Sequence, residues 1–182
     1  MTTFFGVQLA IESSGQESAR RALGQVVRDH RKAGDSLAQR QCWSKASALL
    51  VELIPFARLG TWDLIRDSGY ATYEEWASGL ESMAGWPDAD FGRGGRLILV
   101  SGIFLVEAAS SADVMLGEVC DLPEPTWHQQ ATYKKLVGAF PMLNFSQVQG
   151  SGLYIAPSDA ISGFSIDVLR GEGFEYLQDV SS

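Results

Sequence analysis

The sequence has few of the residues from which metal and redox sites are built. Among 182 residues there are two cysteines, Cys42 and Cys120, and two histidines, His30 and His128. Neither pair has Cys-x-x-Cys, His-x-x-x-His or His-Glu-x-x-His spacing, which argues against a metal site of standard spacing. The two cysteines are interpreted as free, packed thiols in a reducing compartment. We therefore expect no metal and no cofactor.

Positive charge is also scarce. Lysine and arginine total 14 against 22 aspartates and glutamates, which leaves a net charge of −8. Because nucleic-acid binding depends mainly on cations that neutralise phosphates, this balance disfavours a nucleic-acid partner and an anionic membrane surface. The longest apolar run, 97–106, is too short for the about 20 residues that span a bilayer. The first residues lack a basic secretory leader. We expect a soluble, cytoplasmic protein with no membrane span.

What the sequence does contain is typical of a globular domain, with 46% hydrophobic and 20% charged residues. Apolar periodicity predicts strands at 3–11, 61–65, 97–106 and 153–156, with helices between and after them. The helices are predicted to begin at hydroxyl N-caps, which are Ser14, Ser36, Thr72, Ser110, Thr126 and Ser165. The predicted class is α+β, with helices packed on a small sheet or sheets.

The order strand, helix, helix, strand, helix occurs twice. Ser110 follows Ser14 by 96 residues, and Pro141 follows Pro55 by 86. Such similar offsets predict an internal repeat, although the same order can also arise twice by chance. Residues 1–84 and 96–182 would be two similar βααβα halves of one compact unit, related by a pseudo-two-fold axis. The segment 85–95, rich in glycine, proline and aspartate, is the predicted linker.

Several short stretches resemble the family known as domain of unknown function 1517. They are VQLA at 7–10, Trp62 after the second helix, YIAPS at 154–158 and IDVL at 166–169. The family has a tryptophan where this chain has Tyr154, and its members often carry a membrane segment that this sequence lacks. The resemblance implies a shared fold over most of the chain. It implies no mechanism, because the family has no established activity.

No combination of residues predicts a catalytic site. Cys120 is predicted at the end of a helix, where the helix dipole disfavours a thiolate, so a Cys120–His128 pair is a weak candidate. The glycine-rich segment 91–96 lacks the Lys-Ser/Thr of a P-loop and is interpreted as a hinge. Residues 149–152 are interpreted as a turn. The basic residues of the first helix, Arg20 among them, are interpreted as a solvated face.

Two groups of residues are candidates for binding. Tryptophans near the ends of helices and strands act as anchors in many interfaces, and the linker adds aromatic and basic side chains. The candidate interaction surface comprises Trp86, Phe91, Arg93, Arg96 and Trp127. The candidate pocket between the halves comprises His30, His128 and Tyr154.

Three functions stay open. Clear structural signals without a catalytic constellation favour a protein-interaction or regulatory module without catalytic activity. Its partner would be another protein, a second copy of this chain included. The first alternative is a small enzyme or ligand-binding protein with a pocket between the halves. The second is an immunity or antitoxin-type inhibitor of a basic partner, because acidic surfaces complement basic ones.

Overall fold

The computed structural model describes residues 1–84, 86, 91–92, 94–158 and 162–182. The strands are β1 (Thr2–Glu12), β2 (Ala57–Ile65), β3 (Leu97–Glu107), β4 (Val148–Ala156) and β5 (Gln178–Asp179). The helices are α1 (Glu17–His30), α2 (Ser36–Leu53), α3 (Gly69–Ala84), α4 (Ser111–Cys120), α5 (Gln130–Gly138) and α6 (Ile166–Leu169). The predicted α+β class is therefore confirmed, while the short β5 was not predicted. Most of the predicted linker lies outside the described residues.

The strands form one antiparallel sheet in the order β4-β3-β1-β2-β5. β1 and β3 occupy its centre and pair along their whole lengths, from Thr2 opposite Glu107 to Glu12 opposite Leu97. β2 then pairs with β1, and β4 pairs with β3. The sequence left open whether there would be one sheet or two, and the structure has one.

The larger hydrophobic core lies on the side of the sheet that α1, α2, α4 and α5 cover, which we call the first face. Alternate β1 side chains point to this face, and they are Phe5, Val7, Leu9 and Ile11. Trp43 of α2 is fully buried at its centre. The Trp43 ring centroid lies 4.3 Å from that of Phe104 and 5.2 Å from that of Phe140. Burial of each such side chain stabilises the fold by roughly 1.5–3 kcal/mol.

The opposite side, the second face, carries two smaller cores. α3 packs Leu80 and Trp76 against Phe4 and Ile103 at one end. The C-terminal segment, residues 162–182, contains α6 and β5 and packs Phe164 and other apolar side chains at the other end. Both faces of the sheet are thus covered, but two separate pieces of chain cover the second face.

The pseudo-two-fold relation between the halves stays a prediction, and the sheet has two features that such a repeat requires. The order β4-β3-β1-β2 is unchanged when β1 is exchanged with β3 and β2 with β4. The β1–β2 register shifts between Ala10 and Ile11, and the β3–β4 register shifts between Leu105 and Val106. The second shift follows the first by 95 residues (105 minus 10), within the predicted range of offsets.

Two of the predicted N-caps are confirmed. The Ser110 and Ser165 hydroxyls each accept a hydrogen bond from a backbone N–H three residues later. α2 is capped by Asp35 instead of Ser36, because the Asp35 carboxylate accepts the Ala38 N–H at 2.8 Å.

The N-caps predicted at Ser14, Thr72 and Thr126 are wrong. The helices begin at other residues, α1 at Glu17, α3 at Gly69 and α5 at Gln130, and each of the three hydroxyls donates a hydrogen bond to a nearby acceptor. Ser14 donates to the Glu12 carboxylate at 2.9 Å, and Thr72 donates to the Ser68 carbonyl at 3.0 Å. Thr126 donates to the carbonyl of residue 123 at 2.7 Å.

Two further interpretations are corrected by the structure. Residues 149–152 belong to β4 and do not form a turn. A Cβ on Gly150 would lie 3.1 Å from the Tyr73 ring, so a glycine at this strand position leaves room for that ring. Arg20 is buried, unlike a solvated residue, and its Nη2 donates to the carbonyls of Pro157 and Ser162 at 3.4 and 2.7 Å. Arg20 thereby ties α1 to the start of the C-terminal segment.

The start of α3 is packed against β1 so closely that only glycine fits. A Cβ on Gly69 would lie 2.3 Å from the Thr2 carbonyl oxygen and 2.8 Å from the Phe4 nitrogen. We expect Gly69→Ala to lower the free energy of unfolding by about 1–3 kcal/mol, because backbone atoms must move. Urea denaturation followed by circular dichroism measures the change.

The matched control is Gly24→Ala in the interior of α1. Its new Cβ would meet only the tip of Arg28, at 3.7 Å. Replacing a glycine inside a helix by alanine should raise the free energy of unfolding by roughly 0.5–1 kcal/mol. Equal effects of the two substitutions would contradict the packing of α3 on β1.

Candidate functional site

A row of polar side chains crosses the second face between its two apolar cores. Gln8 of β1 lies opposite Thr61 of β2 and Ser101 of β3, and Ser101 lies opposite Tyr154 of β4. Directly opposed residues on neighbouring strands share a face. The Gln8 Nε2 donates to the Ser101 Oγ at 2.9 Å, and both side chains are buried. The row marks the boundary where α3 and the C-terminal segment separate.

A groove of about 560 Å³ lies at this boundary, between α3 and the C-terminal segment. Its aromatic lining comprises Trp76, Trp86, Phe174 and Tyr176. Its polar lining comprises Gln8, Asp63, Glu75, Ser82 and Glu172. Among the described lining residues, every side chain with a formal charge is a carboxylate. We call this site the aromatic–acidic groove.

Asp63 of β2 is the least compensated charge in the groove. Its side chain is half-buried, and within the described residues it has no ion pair and accepts no hydrogen bond. Burial raises the pKa of this carboxyl above its usual value. A carboxylate that has lost water without gaining a partner is held at an electrostatic cost, and a bound cation would offset that cost.

Gly6 explains why Asp63 and Trp76 can lie next to the same open space. It is the β1 residue directly opposite Asp63, so Asp63 has no side chain as its cross-strand neighbour on β1. A Cβ on Gly6 would also lie 3.1 Å from the Trp76 ring and 2.6 Å from the Phe4 ring. The glycine therefore lets the indole of Trp76 approach the sheet, where its centroid lies 5.2 Å from that of Phe4.

Gln8 adds an acceptor to the groove. It is only 2% exposed, yet it lines the groove. Its amide nitrogen is used by Ser101, while across the described chain no donor reaches its Oε1. The oxygen is not among the fully buried unpartnered atoms of the described residues, so it is accessible from the groove, where it can accept a ligand N–H. Aromatic faces, carboxylates and a free amide oxygen together suit a cationic group that carries N–H donors.

A second pocket, of about 550 Å³, lies at the opposite edge of the sheet beside β4. There His30 Nε2 is 2.9 Å from Ser151 Oγ, and the Trp43 indole N–H donates to the same oxygen at 3.4 Å. Because the indole can only donate, the Ser151 oxygen accepts from Trp43 and keeps its own proton, which a neutral His30 Nε2 can accept in one of its two tautomers. Burial, with a smaller effect from Arg31, lowers the pKa of His30 and favours that neutral form.

The structure brings together two of the three predicted pocket residues. His30 and Tyr154 both line the pocket beside β4. His128 does not, because its Nδ1 lies 3.2 Å from the Tyr133 hydroxyl and its carbonyl accepts the Ser181 N–H. The prediction of one pocket formed by all three residues is therefore wrong.

The predicted interaction surface is not one patch. Trp86 is half-buried in the wall of the aromatic–acidic groove, with its ring 6.0 Å from Phe174. Phe91 is only 3% exposed and belongs to a core, which corrects its assignment to a surface. Arg96 is exposed and donates to the Ser14 hydroxyl at 3.3 Å. Arg93 lies outside the described residues.

Trp127 lies apart from these residues and forms an aromatic pair with Trp62. The two ring centroids are 5.7 Å apart at an angle of 78°. The Trp62 indole N–H donates to the Trp127 carbonyl at 3.0 Å, and Trp127 remains 39% exposed. This pair borders β2, the same strand that carries Asp63.

Neither cysteine has the environment of a nucleophile. Both are free thiols. Burial raises the pKa of Cys120 to about 12, and burial also raises the pKa of Cys42. Both thiols are therefore protonated at neutral pH, whereas the thiolate is the reactive form.

Sequence reasoning missed Asp63, Trp76 and Gln8. A signal was present for one of them, because Gln8 is the single amide in the apolar run 3–11. Such an interruption of a buried strand indicates a polar partner. Asp63 carried no comparable signal, since its importance depends on the strand and helix placed beside it.

Three comparisons found no similar protein: no family model, curated protein or solved structure matches this chain. The resemblance to the domain of unknown function 1517 family stays a prediction. In the described part of the chain, no cluster of three or more histidine, cysteine or acidic side chains is arranged to hold a metal ion. None of the described helices is long and apolar enough to cross a bilayer.

The two half-buried histidines predict a specific dependence of stability on pH. Burial lowers the pKa of both His30 and His128 in the folded state. The unfolded chain then binds more protons as the pH falls through about 6.5, so the folded state loses stability over that range. We expect the urea midpoint to fall between pH 7.5 and 5.5.

The variant His30→Gln should show a shallower dependence than the wild type, because it removes one of the two titrating groups. His128→Gln should remove the other part, and the double variant should be the flattest of the four. An unchanged pH slope in His30→Gln would contradict the buried neutral histidine described beside Ser151.

Proposed function

We propose that this protein is an interaction module without catalytic activity, and that it binds a basic side chain of a partner protein in the aromatic–acidic groove. The observation that carries the proposal is Asp63, a half-buried carboxylate without an ion pair in the described structure. An arginine or lysine would supply the missing counter-charge.

The groove suits the whole of a basic side chain and not its charge alone. Lysine and arginine have apolar stems, which pack against aromatic surfaces while the charged end reaches a polar group. Trp76 and Trp86 offer such surfaces, and a cation over a tryptophan face gains roughly 0.5–2 kcal/mol. The free Gln8 Oε1 would accept one of the several N–H groups of a guanidinium.

The charge of the whole chain favours the same kind of partner. A net charge of −8 attracts a basic protein over long range and repels acidic ones. The inhibitor function left open by the sequence is compatible with this proposal, because it also needs a basic partner. The free thiols of Cys42 and Cys120 are compatible with the expected cytoplasmic location.

The ligand-binding or enzymatic alternative depends on the pocket beside β4. His30 and Ser151 have the separation of a base and a nucleophile. However, within the described residues no hydrogen bond orients the second ring nitrogen of His30, which a catalytic pair of this kind requires. The interaction module is therefore the better-supported proposal.

Nuclear magnetic resonance titration with Nα-acetyl-arginine methylamide tests the groove directly. We expect the indole N–H signals of Trp76 and Trp86 to shift as the compound is added. Nα-acetyl-glutamate methylamide should not shift them. The variant Asp63→Asn should weaken binding of the arginine compound about tenfold, because Asp63 is the one partly buried charge among the described residues that line the groove.

The matched control is Glu52→Gln, which changes the net charge equally at an exposed position on α2. It should leave the affinity within about twofold, as expected for a distant, screened charge. If Asp63→Asn binds the arginine compound as tightly as the wild type, the groove is not the site.

A further inference from the structure

We infer that the partner binds as an added β-strand along the outer edge of β2, beside Trp62–Ile65, and places its basic side chain next to Asp63. This inference rests on the proposed function, since it names the form in which the basic partner reaches the groove. Strand addition supplies affinity through main-chain hydrogen bonds and specificity through alternate side chains.

The edge of β2 is covered over only part of its length. β5 pairs with β2 at Leu59 and Gly60 alone, and the Val180 N–H donates to the Arg58 carbonyl just before them. From Thr61 onwards, no described strand pairs with the outer side of β2. An unpaired edge presents a row of N–H and C=O groups to a partner.

The residues of β2 become less buried beyond the point where the pairing with β5 ends. Leu59, Gly60 and Thr61 are buried, whereas residues 62–65 are all half-exposed. The central strand β1, by contrast, is buried over residues 3–11. The half of β2 that follows Thr61 is therefore accessible from the outer edge of the sheet. This half carries Asp63.

Alternate side chains on this edge offer two different surfaces. Asp63 faces the aromatic–acidic groove on the second face. Trp62 and Leu64 pack against the first-face core, where Trp62 meets Trp127 and Leu64 lies near Val114. A strand beside β2 would thus place a basic residue over Asp63 and apolar residues, one position before and after it, on the other side.

The far end of the site is closed. Arg66, the residue after β2, pairs through its Nε with the Asp113 Oδ1 of α4 at 3.2 Å. Asp113 also accepts hydrogen bonds from Thr3 Oγ1 at 3.0 Å and from the Ala109 N–H at 2.9 Å. With β5 at one end and this ion pair at the other, the free edge holds a strand of about four or five residues.

Charge favours a different protein over a second copy of this chain. Two copies joined through this edge would bring two Asp63 carboxylates close together and combine two chains of net charge −8. Like charges placed together across an interface are unfavourable. A short basic, β-branched segment of another protein fits the site without that conflict.

The test uses the pentapeptide acetyl-Thr-Val-Arg-Val-Thr-amide, its glutamate analogue and two N-methylated forms that block alternate backbone N–H groups. We expect the arginine peptide to bind at least tenfold more tightly than the glutamate peptide, and Asp63→Asn to lower its affinity about tenfold. At saturation, hydrogen exchange in residues 62–65 should slow at least tenfold. One N-methylated form should lose at least tenfold in affinity and the other should not, because only alternate residues bond to the neighbouring strand.

The results separate the two proposals. Asp63-dependent binding without slower exchange in residues 62–65, or with both N-methylated peptides still bound, overturns strand addition and leaves the groove as a basic-residue site. Absence of charge-selective, Asp63-dependent binding overturns both proposals. A dimer in analytical ultracentrifugation that the arginine peptide dissociates would replace the foreign partner by a second copy of this chain.

Discussion

The pairing of β1 with β3 is the interaction on which the rest of the structure depends. Each of these two strands is the first strand of one half of the predicted repeat, and they pair over eleven positions without a break. Their side chains supply the centre of the first-face core, where the Phe5 ring stacks on Phe104 and Phe104 meets the buried Trp43. Every other strand is added outward from this pair, so β4 forms one edge of the sheet and β2, paired with β5 over only part of its length, lies at the other.

The same central pair determines where the candidate site lies. Its second face carries Gln8 and Ser101, which bond to each other and separate two apolar cores. α3 covers one core and the C-terminal segment covers the other, and the groove is the space between them. Gly6 gives Asp63 no cross-strand side-chain neighbour on β1, and β5 pairs with β2 only before Asp63. The site therefore depends on the lack of a side chain at Gly6 and on the short length of β5.

The order of elements could be predicted because it depends on local patterns. Apolar periodicity located four strands, and hydroxyl caps located α4 and α6 at Ser110 and Ser165. The caps predicted at Ser14, Thr72 and Thr126 were wrong because α1, α3 and α5 begin at other residues, and the capping pattern alone does not specify which of several nearby residues starts a helix. Asp63 could not be found from sequence, since its exposure depends on register with Gly6 and on where β5 ends. The contact between His30 and Ser151 likewise could not be predicted from the sequence, because only the fold brings these two residues together.

An extended segment with a basic residue at its centre is the ligand that we propose for the β2 edge. Selection from a random peptide library displayed on phage tests this most directly, with the Asp63→Asn variant used to remove peptides that do not depend on the carboxylate. We expect the selected peptides to be enriched in sequences that contain one arginine or lysine flanked by β-branched or aromatic residues. Enriched peptides without a basic residue, or a set that binds wild type and variant equally, would contradict it.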